Sequence, residues 1–446
     1  MKPQLHRSMG LADVALFFII ASTNLQWVAA SAAAGPSALF AWVAGCIALF
    51  VPLCIVVVYL ARRYPREGGM YVWTTHAFGP YAGFITAWSY WFSTLPYFPG
   101  LLYFTAGAAL YATGTHTAPP VYFITFAGIG MLIGTLLNVL GLQTGKQLVN
   151  VAAICRGAAI VLLMIFGVIW WHRFGFATPI DARSLRPSFD VKEIVFLSIV
   201  AFAFVGPEAL PFMAEEVRDP QRSIPRGLSL AAPAIVAIYI FGTLALFALI
   251  KPANVDSLYG VVQGFASATA HLGGTPVLLL AVALVVVSCI GSLTAWIGAN
   301  ARLPFVAGID AFLPPAFARL HPRYNSPVTS LYVQLAVSLV LIVLGQSGTS
   351  VKGAYDILVS CTILATMVPF ALMFAAAVKL SAGNAVITIA GVVGLFTSLA
   401  ALVIAAIPTP GDPAPLLAVA KIVGLNVLML LAGTAFYALA RQASRA

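Results

Sequence analysis

The chain has 446 residues, 61% of them hydrophobic and only 8% charged, with a formal net charge of +10. A soluble domain carries about 25% charged residues, so this composition excludes a soluble surface. Apolar runs near 20 residues recur along the whole length, each long enough to cross about 30 Å of hydrocarbon. They predict an all-α polytopic membrane protein embedded in a lipid bilayer, with no separate soluble domain.

Lys2 and Arg7 followed by an apolar run and VAASAAA imitate a secretory signal. Ser22, Thr23, Asn24 and Gln26 interrupt the apolar region, and retention of the segment is expected. Twelve spans follow, at about 11–31, 36–61, 80–111, 119–141, 147–171, 193–214, 228–250, 276–300, 328–345, 354–378, 384–407 and 416–440. The basic residues lie in short loops, with Arg62, Arg63, Arg66, Lys146, Arg218, Arg222 and Arg226 on the N-terminal side. That bias is an orientation signal: it predicts both termini in the cytoplasm and a location in the cytoplasmic membrane. It also makes a nucleic-acid partner unexpected.

Two spans differ from ordinary apolar helices. The first contains ASTNLQ at 21–26 and the sixth contains GPEALP at 206–211. Interrupted helices at matching positions of two successive five-helix sets predict an inverted-repeat transporter of the 5+5 kind. Repeat 1 covers about 11–171, repeat 2 about 193–378, and two additional helices about 384–440, all in one transporter domain. Unwound backbone at that depth is tolerated where it lines a cavity or is packed in protein.

Cys46, Cys54, Cys155, Cys289 and Cys361 lie in apolar segments without CxxC spacing and read as small core residues. The histidines (His6, His76, His116, His172, His271 and His321) are scattered through loops and helix ends. With no HExxH, GxSxG or mid-membrane carboxylate pair, neither an enzyme, a metal site nor a bound cofactor is expected.

Three stretches carry a family resemblance. ARRYPREGGMYVWTTHAFGPYAGFITAWSYW at 61–91, AFAFVGPEALPFMAEEVRDPQRSIPRG at 201–227 and GSLTAWIGANARLPFVAGIDAFLPPAFARLHPRYNSPVTS at 291–330 resemble the amino acid–polyamine–organocation transporters. Within that superfamily they are most similar to bacterial antiporters of the arginine/agmatine and glutamate/GABA kinds. The resemblance implies a LeuT-like fold with first and sixth helices broken. It puts Tyr90 on a tyrosine implicated in proton sensing, and Glu208 on a buried glutamate. Phe202 falls near a substrate-stacking tryptophan, and Trp296 on a tryptophan flanking the substrate path. Arg302, six residues after Trp296, either contacts the gate or substrate or anchors the helix end.

The resemblance also implies a substrate site made by Ala21, Ser22, Thr23, Asn24, Phe202, Val205, Gly206 and Trp296. Free N–H groups at one break suit a carboxylate, and free carbonyls at the other suit an ammonium. The family usually has Gly-Ser-Gly where this chain has Ala21-Ser22-Thr23, so the carboxylate site is expected to be reshaped. Asn24 and Gln26 either add polar contacts there or bond between helices. Phe202 and Trp296 either face substrate or pack.

Glu208 either exchanges a proton or, as a neutral carboxyl, bonds the unwound backbone. Arg156 stands where relatives often place a lysine in the space of a sodium ion. It implies Na⁺-independent transport, or a tie from span 5 to carbonyls of the first break. The Glu215–Asp219 loop, with Arg222 and Arg226, offers ion pairs for an inner gate. The overall expectation is a secondary transporter of amino acids, by exchange or proton-coupled uptake, with polyamines or other organic amines as the alternative cargo. The partners are therefore a small amino acid or amine and protons, and a homodimer is one compatible assembly.

Overall fold

The structure is a computed structural model describing residues 7–115, 117–187, 190–256, 258–346, 350–407 and 415–443. Lys2, His6 and His116 lie outside the described residues. Helices account for nearly all regular structure: α1 (Leu11–Ser22), α2 (Leu25–Ala34), α3 (Ala38–Gly45), α4 (Val51–Arg63), α5 (Met70–Phe78), α6 (Pro80–Leu110), α7 (Pro120–Val139) and α8 (Leu142–Phe174) form the first half. The second half comprises α9 (Val191–Ala203), α10 (Pro220–Leu249), α11 (Gly260–Leu272), α12 (Gly274–Ile309), α13 (Val328–Gly345), α14 (Val351–Leu380), α15 (Ala385–Ala405) and α16 (Pro415–Ala443).

Among the described residues, nine segments are both long and apolar enough to cross a membrane, with two shorter apolar helices at Glu193–Ala203 and Val328–Leu344. α6 is long enough as well, but it is a buried central helix carrying Ser89, Tyr90, Ser93, Thr94 and Tyr97, and it packs against α12 and α14. The sixth predicted span is shortened because its helix stops at Ala203 and resumes as a 3-10 turn at Leu210–Glu216. The short helices α5 and α11 fall between predicted spans and have no counterpart in the sequence reading.

The breaks have local causes. Thr23 and Asn24 adopt extended backbone (φ −129° and −134°), leaving α1 and α2 as separate segments. In the other break Gly206 has φ +144°, a conformation that an L side chain rarely adopts. A Cβ at that position would lie 2.7 Å from Ser22 Cα, so the two breaks approach as closely as bare backbone permits. Outward faces remain apolar, with Ile47, Val121 and Phe396 66%, 67% and 74% exposed, as a hydrocarbon surround requires.

Small residues let the inner helices close up. A Cβ at Gly167 of α8 would meet Ala245 Cα of α10 at 2.9 Å. Gly167→Leu is therefore expected to cost about 1–3 kcal/mol through overpacking. A lowered thermal midpoint of the detergent-solubilised protein would register it, with Gly157→Leu, whose added Cβ meets nothing within 4 Å, as the control.

Candidate functional site

Unwound backbone inside a membrane must find partners in protein. Tyr239 of α10 supplies them at the crossing point: its hydroxyl lies 2.8 Å from Ala203 O and 3.0 Å from Ser22 O, and accepts from Asn24 N–H at 3.2 Å. One phenol thus ties the end of α1, the start of α2 and the end of α9. Trp42 holds it by stacking at 4.3 Å, with its own indole N–H bonded to Thr243.

Arg156 of α8 is fully buried behind the first break. Its Nη1 donates toward Ile20 O (3.3 Å), Asn24 Oδ1 (3.4 Å) and Thr23 Oγ1 (3.5 Å), and its Nη2 donates to Ser288 O (3.0 Å). The guanidinium thereby gathers the open end of α1, Asn24 and α12. Thr23 turns its hydroxyl back to Ile19 O at 2.5 Å, so its side chain lies along the helix. Ser292 adds further donors to Ile20 O and Asn24 Oδ1.

Glu208 is fully buried just past the second break. Its carboxyl oxygens accept from Gly206 N–H at 2.9 and 3.1 Å, and Tyr90 donates its hydroxyl at 2.5 Å. The carboxyl therefore holds the turn at Gly206-Pro207 and links it to α6.

Between the breaks is a small, tightly closed cavity. Ala21, Asn24, Tyr90, Phe202, Val205 and Trp296 line it, all of them sequence candidates. Ser22, Thr23, Gly206 and Glu208 stand behind this lining, and Arg156 behind the first break. Six other lining residues were missed: Trp27, Ser93, Thr94, Tyr97, Ala203 and Thr366. The aromatic rings interlock, with Phe202 edge-on to Trp27 at 5.5 Å, and Tyr97 6.1 Å from Phe202 and 6.0 Å from Trp296. Trp296 also donates to Ala21 O at 3.2 Å, which anchors the ring to the first break. Ser22 Oγ and Gln26 Oε1 are buried without a hydrogen-bond partner.

On the face that carries the N-terminus, the contacts of a candidate gate join the residues before α1 to the segment that follows the second break. Ser8 and Met9 donate backbone N–H groups to Glu216 O at 3.0 and 3.1 Å, and Arg218 N–H returns to Met9 O at 2.9 Å. Lys146 bridges Asp13 at 3.1 Å. Arg302, placed by α12, pairs with Glu216 at 2.7 Å, both nearly fully buried. Arg302 thus takes part in these contacts and does not line the cavity.

The profile of the amino acid permease family matches residues 8–437. The chain belongs to that family. An uncharacterized transporter of Legionella pneumophila is 25% identical to this permease over 91% of the chain and 90% of the relative. A probable agmatine/putrescine antiporter of Lactococcus lactis is 25% identical over 65% of the chain and 61% of the relative. The glutamate/gamma-aminobutyrate antiporter of the same organism is 24% identical over 69% of the chain and 63% of its own length. The permease is therefore a multi-pass membrane transporter and not an enzyme, and amino acid transport is its activity at the level of the family.

Trp27 and Tyr97 could have been found in the sequence. Trp27 follows the first break by three residues, and Tyr97 lies two turns beyond Tyr90 on one face of α6. Tyr239 had no such signal, because nothing local in α10 marks a hub. Tyr239→Phe leaves Asn24 N–H and two break carbonyls without their shared partner, a loss of about 1–3 kcal/mol. A lower thermal midpoint together with slower transport in proteoliposomes is the expected result.

Proposed function

We propose that this permease is a secondary transporter of amino acids that works by alternating access between two five-span repeats. The observation carrying this reading is the pair of broken helices meeting at an aromatic-walled cavity that no formally charged side chain lines. A zwitterion is net neutral, so it can enter such a place if its two charges are matched by helix ends. The N-terminus of α2, opened by Asn24, offers N–H groups for a carboxylate. The Ser22 hydroxyl, buried without a partner among the described residues, is a further donor beside it. The carbonyls released before Gly206 suit the ammonium, and Trp27, Tyr97, Phe202 and Trp296 enclose the side chain.

The repeat reading is supported by a symmetry beyond the breaks. α5 lies between the second and third spans, and α11 between the seventh and eighth, so each five-span set carries one short helix at the same place. α15 and α16 follow as additional helices. Polyamines are disfavoured as cargo because a dication needs carboxylates in its cavity, and Glu208 is turned to Gly206 and Tyr90.

Arg156 occupies the space beside the α1 carbonyls with a fixed positive charge, which disfavours a sodium ion there. Glu208 and Tyr90 form the proton-linked pair at the second break. The face with the N-terminus is assigned to the cytoplasm on the charge bias of its loops.

A proteoliposome counterflow panel of amino acids, their decarboxylated amines and polyamines tests the cargo. Exchange of one or more amino acids with silence toward polyamines is expected, and the reverse pattern refutes the reading. Replacing Na⁺ by K⁺ is expected to leave the rate unchanged. Glu208→Gln keeps the bond from Gly206 but cannot release a proton, so its uptake is expected to lose pH dependence. An unaltered rate and pH profile in that variant would remove Glu208 from coupling.

A further inference from the structure

The gate contains more buried negative charge than its cation can match. Glu67 sits in the loop between α4 and α5 and is only 6% exposed. Its Oε2 accepts from the Glu215 backbone N–H at 3.0 Å, while its Oε1 is buried with no hydrogen-bond partner. Arg302, the cation facing this cluster, is already engaged by Glu216 at 2.7 Å and by Gly298 O at 2.6 Å. Two buried carboxylates against one guanidinium leave an uncompensated charge, which low-dielectric surroundings penalise heavily.

We propose that Glu67 is a proton-binding site of the gate on the N-terminal face: it holds a proton while the gate is shut and releases it to that side when the gate opens. This deepens the alternating-access reading and rests on it, since that face must open during transport. The site is separate from Glu208, which lies at the substrate break.

The chemistry supports such a role. Burial pushes the Glu67 carboxyl well above its ordinary range, and the charge of Glu216 pushes the same way. Arg302 and the Glu215 N–H act in the opposite sense, and the Glu215 carboxylate adds a smaller upward push. A protonated Glu67 is neutral, still accepts from Glu215 N–H, and leaves the Glu216–Arg302 pair undisturbed. The loop is further tied to the same segment by Gly68 N–H donating to Phe212 O at 3.3 Å. Withdrawal of the 210–217 segment would break these ties and hydrate Glu67, returning its carboxyl toward the ordinary value of about 4.3.

The direction follows from linkage. The shut state has the higher pKa, so closure is fully favoured below the open-state value and is lost as pH rises through the shut-state value. Between the two, the shut-to-open ratio falls by up to about tenfold per pH unit, the limit for one proton.

A cysteine at Ala295 reports opening, since Ala295 is buried and lines a pocket among the gate contacts with Met9, Asp13, Lys146 and Met213. In full-length protein without its native cysteines, held in nanodiscs, maleimide labelling is followed across pH and normalised to a free thiol at each pH. Accessibility is expected to rise by up to about tenfold per pH unit with Glu67 and to stay low and flat in Glu67→Gln. A Glu67→Gln profile superimposable on that of the parent overturns the inference. If no pH or substrate opens the passage in either protein, the alternating-access reading fails instead.

Infrared difference spectra in a Glu208→Gln background provide a second measurement that does not need a Glu67 variant. A protonated-carboxyl band that disappears as the gate opens supports the site, and an unchanging band refutes it.

Discussion

Everything in this permease depends on how two interrupted helices satisfy their loose backbone groups inside a membrane. Lipid offers no hydrogen bonds, so every N–H and C=O freed at Thr23–Asn24 and at Phe204–Gly206 needs a partner from the protein or from cargo. The first break is served by Tyr239, Arg156, Ser292 and Trp296. The second is served by Tyr239 and Glu208. Because Tyr239 serves both, the breaks form one structure, and displacement of either segment disturbs the other.

This shared support explains the division of labour between buried polar groups. Arg156 and Glu208 are costly residues to place in hydrocarbon. Each holds one break in shape from outside the cavity, so the cavity wall itself is left to aromatic rings, hydroxyls and Asn24. On the proposed reading, such a site discriminates by shape and by backbone dipoles. It also keeps the formally charged side chains one layer away from the cavity wall.

The gate on the N-terminal face repeats the principle at another depth. Segment 210–217 continues directly from the second break and ends in Glu216 and Val217, which respectively pair with Arg302 and form an isolated bridge with Met9. This segment thus connects the second break along the chain to the Glu216–Arg302 pair. Glu208 lies just before this segment and Glu216 with Glu67 at its far end, so buried carboxyls flank it on both sides.

The sequence by itself determined the membrane class, most of the spans and both breaks, because hydrophobic length and the Gly-Pro or polar interruptions are local properties. It also selected Ala21, Asn24, Tyr90, Phe202, Val205 and Trp296, which the fold gathers around one cavity. It gave no hint of Tyr239, whose importance comes from touching three segments distant in the chain. Nor did it show that Thr23 turns back onto Ile19, or that Arg156 reaches four acceptors at once. Glu67 was hidden for the same reason: in the sequence it is a loop carboxylate among arginines, Arg62, Arg63 and Arg66. Only the packing of its loop against 210–217 buries it beside Glu216, and burial is a property of neighbours far away in sequence.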